Sequence, residues 1–209
     1  MEIELKYTLS AELAEAILTN KQVAPYLNGE PETIRLHAVY YDTPDGWLAA
    51  KKTALRLRYE GAADASDGGY ICCLKRKASG NGGFSRREEY ECPAETIRDG
   101  IHGLLKQGAP SEILVPLLTE NLVNVAEVRC LRKAALLTIE DTQIELALDC
   151  GTFPTGSSRE IPFRELELEL KSGREEVLLA FGMTLAKAFD LEPIRQSKYA
   201  RALAARREG

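Results

Sequence analysis

The chain has 209 residues, of which 44% are hydrophobic and 28% are charged, so it can bury a full hydrophobic core as one domain over residues 1–209. No apolar run approaches the roughly 20 residues that cross a bilayer, and no signal peptide opens the chain, so we expect a cytoplasmic protein without a membrane partner. A net charge of −5 argues against a nucleic-acid partner. The five cysteines include no CxxC pair and are best explained as reduced thiols, and with only two histidines in the chain a zinc site is not expected.

The first half of the chain is predicted to consist mainly of strands. A helix over Ala11–Thr19 follows the first strand, and Ser10 is its cap. A loop is predicted at 61–69, and the glycine-rich stretch Ser79–Gly83 is a turn, because no Lys-Ser/Thr follows it as in a phosphate-binding loop. Alternation of apolar and polar residues predicts strands at Glu2–Lys6, Thr33–Tyr41, Thr53–Glu60, Tyr70–Lys77 and Phe84–Cys92.

The second half alternates helices and strands. Helical spacing of apolar residues predicts helices over Pro93–Gln107, Ser111–Asn121 and Ser172–Asp190, with a last short helix from about Ser197. Strands are predicted at Ala126–Glu140, Gln143–Cys150 and Glu165–Lys171, with a loop at Gly151–Ile161. Eight strands joined mostly by turns predict an α+β fold, in which a closed eight-stranded antiparallel β-barrel forms a tunnel and the helices pack outside.

Charged residues share one face of most of these strands. The acids are Glu2, Glu4, Glu89, Glu91, Asp149, Glu165, Glu167 and Glu169. The bases are Lys6, Arg56, Arg58, Lys75, Arg87, Arg132 and Lys198. A dry interior would cost several kcal/mol per ion, so this face lies either in bulk water or in a wet channel. The helices need an apolar partner, which the opposite strand face offers, and this favours the interior position for the charges.

A channel with both signs of charge predicts a particular kind of ligand. Arginine and lysine side chains from several strands suit phosphate oxygens. Carboxylates cannot bind those oxygens directly, but a divalent cation joins the two groups. We therefore expect a phosphate chain bound together with Mg²⁺ or Mn²⁺, the choice of metal being open.

Six segments, in order along the chain, resemble the motifs of the CYTH superfamily, the triphosphate tunnel metalloenzymes. They are Glu2–Lys6 (ExExK), Tyr40–Asp45 with Ala54–Arg58, Leu74-Lys75, Arg87–Glu91, Leu148–Gly151 with Glu165–Lys171, and Ser197–Arg201. The first alone is a weak signal, whereas six in order are specific. Among the subfamilies, the chain is most similar to the bacterial inorganic triphosphatases, many of which carry a further C-terminal helical domain.

The resemblance implies hydrolysis of inorganic triphosphate, a small-molecule partner, to pyrophosphate and phosphate inside the tunnel. It implies metal ligands at Glu2, Glu4, Glu167 and Glu169. It implies substrate contacts from Lys6, Arg56, Arg58, Lys75, Arg87, Arg132 and Lys198. Lys6, Glu91 and Asp149 are the catalytic candidates, although Glu91 and Asp149 could instead orient an arginine. Arg132 is chosen over Arg129 and Lys133, and Arg201 is left out as a residue of the helix surface.

Three other functions are compatible with the same motifs. Thiamine triphosphatase and class IV adenylate cyclase activities use the same tunnel, and the cyclase needs an adenine pocket. A non-catalytic polyphosphate-binding module is a third reading, but the acids Glu165, Glu167 and Glu169 would only weaken such a binder. The oligomeric state is open, with a homodimer as one alternative.

Overall fold

The computed structural model describes residues 1–63 and 68–208. Within them, eight antiparallel strands form a closed barrel in the order β1-β5-β4-β3-β2-β6-β7-β8. The strands are β1 (Glu2–Thr8), β2 (Glu32–Asp42), β3 (Thr53–Ala62), β4 (Gly68–Ser79), β5 (Phe84–Pro93), β6 (Val123–Ile139), β7 (Thr142–Pro154) and β8 (Glu160–Ser172). The predicted closed barrel is confirmed.

Six α-helices accompany the barrel in the described residues. They are α1 (Ala11–Ala16), α2 (Trp47–Ala50), α3 (Ile97–Lys106), α4 (Ser111–Leu117), α5 (Glu175–Phe189) and α6 (Lys198–Arg207), with 3₁₀ turns at Ile17–Thr19 and Ala24–Tyr26. No helix of the described chain combines the length and the apolar character that crossing a bilayer requires.

The pairing register places the charged residues on the inner face. Glu4 of β1 lies opposite Glu169 of β8, and Lys6 lies opposite Glu167. Residues paired across neighbouring strands point to the same face of a sheet. The inward position of these charged residues therefore fixes which residues face inward on each following strand around the barrel. A slip of one residue would bury the acids against the helices, which makes the register strongly determined.

The apolar outer face is covered by helices, as predicted. Leu5, Leu166 and Leu168 pack against α5 through side chains such as Leu178 and Leu185, all of them buried. A second outer cluster joins β3, β4 and β5 to α2, α3 and α4. Burial of each such leucine contributes roughly 1.5–3 kcal/mol, so these two clusters stabilise the barrel wall from outside.

The last helix differs from the prediction that all helices pack outside. Ala202 and Ala205 of α6 pack with Leu36, Tyr40 and Val128, whose side chains point into the barrel. The ring centroids of Tyr40 and Tyr199 are 5.0 Å apart. Part of the inner face, on β2 and β6, is therefore apolar, and α6 covers it at one end of the tunnel.

Several element boundaries also differ from the predictions. The loop predicted at Gly151–Ile161 is much shorter, because β7 and β8 continue their pairing as far as Pro154 and Glu160. Two helices begin later than predicted: Thr96 caps α3, and Gly173, with a φ of 97°, delays α5 to Glu175. Of the predicted loop at 61–69, residues 64–67 lie outside the described chain.

Gly100 of α3 lets the helix approach the barrel wall closely. A Cβ at this position would lie 2.3 Å from the Cβ and the Sγ of Cys72. Gly100→Ala is therefore expected to lower the free energy of unfolding by about 1–3 kcal/mol, the usual cost of overpacking. Urea denaturation measures the change. Gly69→Ala is the control, because its Cβ would meet open space; equal losses in both variants would contradict the close packing.

Candidate active site

The barrel encloses a cavity of about 720 Å³. All the residues predicted for the site line it: Glu2, Glu4, Lys6, Arg56, Arg58, Lys75, Arg87, Glu91, Arg132, Asp149, Glu167, Glu169 and Lys198. The two alternatives to Arg132 point outward: Lys133 is exposed, and Arg129 pairs with Glu127 and Glu160 on the outer surface. The structure therefore gathers the predicted residues around one space.

Glu4 lies near the centre of the charged wall. It is only 3% exposed and contacts Lys6 at 3.1 Å and Arg87 at 2.5 Å, while the Ser85 hydroxyl donates a 2.8 Å hydrogen bond to it. Lys6 also contacts Glu167 at 3.0 Å. Residues of β1, β5 and β8 are thus joined in one alternating array of charges, which holds each side chain in a fixed position.

The acids at the β1–β8 wall suit a divalent cation. The Lys75 ammonium donates to Oε1 of Glu2 at 2.9 Å, but Oε2 of Glu2 is buried without a hydrogen-bond partner in the described chain. Burial raises the pKa of Glu169, and the nearby carboxylates of Glu2 and Glu145 raise it further against the opposing effect of Lys171. An unpartnered buried oxygen and crowded carboxylates are features that an oxygen-ligated cation would relieve.

This part of the wall predicts how a metal ion changes stability. At pH 7–8, Mg²⁺ or Mn²⁺ is expected to raise the melting temperature of the wild type, because a ligand of the folded state stabilises it. Glu169→Gln should lose most of this gain. A proton competes with the metal for Glu169, so the metal-induced rise in melting temperature should shrink on acidification. Because the pKa of Glu169 is raised, this loss should begin at a higher pH than for a glutamate with the ordinary pKa of about 4.3.

Thermal melts with chelator or metal measure this effect. Glu176→Gln serves as the control, because Glu176 is exposed on α5 outside the barrel. A metal-induced gain that is the same in Glu169→Gln as in the control would show that Glu169 is not a ligand.

Lys198 occupies the centre of a second acidic group. Its ammonium contacts Asp149 at 2.6 Å, Glu167 at 2.9 Å and also Glu165. Arg132 adds a bidentate pair to Asp149, with both bonds 2.8 Å long. Burial opposes ionisation of Asp149, but Lys198 and Arg132 hold its pKa below the ordinary value. The ligand atoms of Asp149, Glu165 and Glu167 lie close enough for a metal, but the lysine already fills this position.

Arg201 is the main residue that sequence reasoning left out. It is not on the helix surface: it pairs with Glu165, which is fully buried, and its guanidinium lies 5.1 Å from the Phe153 ring centroid and 5.5 Å from that of Phe163. Glu165 itself lies behind Lys198, outside the cavity lining. Lys198 and Arg201 therefore hold α6 against the buried acids Asp149 and Glu165 of β7 and β8.

The opposite wall presents arginines and one more accessible acid. Glu91 contacts Arg56 at 3.2 Å and Arg58 at 4.0 Å, and 41% of its side chain is exposed. Burial opposes its ionisation, but Arg56 and other nearby cations keep the pKa of Glu91 below its ordinary value. Glu91 also forms a three-residue ligand group with Cys73 and Glu89. Burial raises the pKa of Cys73, so this thiol stays protonated and is a poor ligand.

Glu145 lines the cavity but was not among the predicted residues. It lies opposite Glu169 in the β7–β8 register and contacts Arg132 at 3.7 Å and Lys171 at 3.8 Å. The signal for it was present, because Glu145 is two steps of two residues from Asp149 on the same strand. Extending the alternation along the whole of β7 would have found it.

Comparison with known proteins assigns the family. The CYTH domain family model matches residues 1–203. The chain belongs to the CYTH family. It is 31% identical over 189 residues to an inorganic triphosphatase from Haemophilus influenzae, an alignment that covers 88% of this chain and 49% of that protein. This CYTH chain thus spans about half the length of that relative.

Solved structures share the CYTH fold at low identity. A candidate adenylyl cyclase from Hippeastrum, described as having a dominant triphosphatase activity, has a TM-score of 0.69 at 20% identity and covers 99% of this chain and 97% of its own. A protein from Pyrococcus horikoshii OT3 has a TM-score of 0.63 at 16% identity, covering 99% of this chain and 100% of its own. At these identities the likeness extends to the fold alone.

Proposed function

We propose that this chain hydrolyses inorganic triphosphate to pyrophosphate and phosphate with Mg²⁺ or Mn²⁺. The observation that carries the proposal is the cavity in which seven predicted cations face a wall of carboxylates. The Haemophilus relative, an inorganic triphosphatase, supports the same activity. A binder of polyphosphate alone would have no use for the acids, because their charge repels the ligand.

The two walls have different roles in this proposal. Seven cations would bind the phosphate oxygens and neutralise the charge that develops during transfer: Lys6, Arg56, Arg58, Lys75, Arg87, Arg132 and Lys198. Glu2, Glu4 and Glu169, with Glu167 close by, would hold the metal. A bound Mg²⁺ or Mn²⁺ supplies Lewis-acid polarisation of phosphate oxygens and lowers the pKa of a coordinated water.

The carboxylates differ in their suitability as the proton acceptor. Asp149 is fully buried and its oxygens are taken by Arg132 and Lys198, so its contacts favour an orienting role. Glu91 is more accessible, and its lowered pKa keeps it ionised at neutral pH. In hydrolysis the water oxygen bonds to the terminal phosphorus, the bridging P–O bond breaks, and the water proton passes to a carboxylate. We propose Glu91 for that acceptor.

The apolar end of the tunnel bears on the choice of substrate. Adenine or a thiamine ring would need apolar surface next to the phosphate-binding walls. The side chains that offer it, including Leu36, Ala38 and Val128, pack against α6 and also line the main cavity. The choice of a substrate made of phosphate alone over thiamine triphosphate or a cyclase substrate therefore rests on the Haemophilus relative.

Phosphate release from tripolyphosphate, thiamine triphosphate and ATP tests the proposal, each with Mg²⁺, Mn²⁺ or chelator. We expect tripolyphosphate with metal to give the highest kcat/KM and chelator to abolish turnover. Faster turnover of either organic triphosphate, formation of a cyclic nucleotide from ATP as the main reaction, or full activity in chelator would each reject it.

A further inference from the structure

On one side of the closed barrel, β1 and β5 pair over only a short stretch. These strands pair only through Glu2–Leu5, opposite Phe84–Arg87. Beyond that point another segment takes over the edge of β1: the Ile194 amide donates to the Lys6 carbonyl at 2.9 Å, and the Thr8 amide donates to the Glu192 carbonyl at 2.8 Å. The turn before β5 and the segment before α6 therefore form the two sides of an opening.

Gly83 fixes the turn at the edge of this opening. Its φ is 88°, and its carbonyl accepts a 3.1 Å hydrogen bond from the Lys6 amide. A Cβ there would lie 2.8 Å from the Lys6 carbonyl oxygen and 2.9 Å from the Cβ of Pro193. A residue without a side chain is needed at this close approach, so the opening has a defined shape.

A second cavity of about 320 Å³ lies at this opening, and we call it the side compartment. Eight residues line both this compartment and the main cavity, so the two spaces are continuous: Lys6, Gly80, Phe84, Ser85, Arg87, Arg195, Gln196 and Ser197. The rest of its described lining is Asn81, Gly82, Gly83 and Ile194.

The charge of the side compartment has one sign. Its described lining contains three cations, Lys6, Arg87 and Arg195, and no carboxylate. The main cavity shares these three cations, but its lining also contains carboxylates. In the described chain no carboxylate lies within salt-bridge distance of Arg195, whereas Lys6 and Arg87 both contact Glu4. An anion placed here would gain a guanidinium contact that need not displace an existing ion pair.

Other polar groups at the compartment favour an anion as well. Asn81 and Gln196 bring side-chain amides to the lining, and Ser197 is the N-cap of the ten-residue helix α6. The positive end of a helix dipole favours negative charge nearby. A planar guanidinium together with amide donors suits the several acceptor oxygens of a phosphate group.

We propose that the side compartment binds an inorganic phosphate group through Arg195 without a metal ion. On the proposed function, on which this part rests, the occupant is the phosphate that hydrolysis releases. It passes from the metal-binding wall to the side compartment and leaves through the opening between the turn before β5 and the segment before α6. Arg195, which lines both spaces, is then a product-binding residue in addition to the predicted triphosphate contacts.

Titration of the protein with inorganic phosphate in excess chelator tests the binding site directly. Wild type should bind phosphate saturably, and Arg195→Ala should weaken binding about tenfold, as the loss of one charge-assisted contact predicts. Arg195→Lys should retain part of the affinity. Arg164→Ala is the matched control, because Arg164 is exposed on the outer face of β8. Binding that is absent in the wild type, or equal in the two alanine variants, overturns the proposal.

Product inhibition tests the role of the bound phosphate. During tripolyphosphate hydrolysis, the inhibition constant of added phosphate should rise about tenfold in Arg195→Ala and remain unchanged in Arg164→Ala. Equal inhibition constants would overturn the assignment of this site to the product. If no metal supports hydrolysis, the proposed function fails, but the titration in chelator still decides whether the compartment binds phosphate.

Discussion

Glu4→Gln is expected to reduce metal-dependent phosphate release from tripolyphosphate by at least about 100-fold. Loss of a residue that merely supports a metal ligand costs about 10–100-fold, and Glu4 is proposed to be a ligand itself. Glu4 is buried between Lys6 and Arg87 and lies opposite Glu169 in register. Glutamine keeps the volume and one acceptor oxygen but removes the charge that would hold a cation. The two neighbouring bases then lose an anionic partner at the point where substrate and metal meet.

The loss should appear in turnover and in metal dependence, because the cation is proposed to act on the reacting phosphate. Initial rates at several metal concentrations measure it, and circular dichroism checks the fold. Glu88→Gln provides a matched control, since Glu88 is on the outer face of β5 and its ion-pair partner among the described residues is Arg76. Wild-type rates in Glu4→Gln, or an equal loss in Glu88→Gln, would contradict the placement of Glu4 at the reaction site.

The barrel was predictable because the same two-residue alternation determines both which segments form strands and which face their charged residues occupy. In Glu2–Lys6 and Glu165–Lys171 the alternation predicts which residues face inward. The register of β1 and β8 then brings Glu4 next to Glu169. The helices had apolar faces that only the outer strand surface could cover. Local pattern and global packing agree here, so sequence reasoning reached the closed barrel and the residues that line it.

The inward position of α6 could not be obtained in the same way. Its sequence, Lys198–Arg207, mixes alanine with basic residues and lacks a strong apolar stripe, which is typical of a surface helix. Its partners, such as Leu36 and Val128, lie on strands where the inner face is apolar, against the charged pattern elsewhere. Only the closed barrel brings these distant surfaces together.

The role of Arg201 was hidden for a related reason. In the sequence it is one of several basic residues near the C-terminus, and nothing local marks it as buried. Its partner Glu165 was assigned to the cavity with Glu167 and Glu169, but the structure places it behind Lys198. Alternation predicts which face of the sheet a residue occupies. It cannot predict which part of the inner face is covered by another element, as α6 covers Glu165.

Asp149→Asn is expected to lower the free energy of unfolding by about 3–5 kcal/mol, the usual cost of leaving buried charges without their partner. Asp149 has no exposed surface and neutralises both Arg132 and Lys198. Asparagine fits the same volume but donates an amide toward two cations. Since Lys198 begins α6, the variant should also loosen that helix from the inner face of the barrel.

Urea denaturation measures the loss, and Asp141→Asn is the control. Asp141 is exposed in the β6–β7 turn, where it contacts Arg174 at 3.4 Å and accepts a 3.5 Å hydrogen bond from the Thr142 hydroxyl. The control should change stability by no more than about 0.5 kcal/mol. The folded-state pKa of Asp149 is lowered, so its contribution is fully present above the unfolded value of about 3.9 and is lost as the pH falls through the lower folded value. The difference between wild type and Asp149→Asn should therefore stay constant from pH 8 to about pH 5 and shrink in stronger acid. A difference that grows on acidification would mean that the pKa of Asp149 is raised in the folded protein, which would contradict its pairing with Lys198 and Arg132.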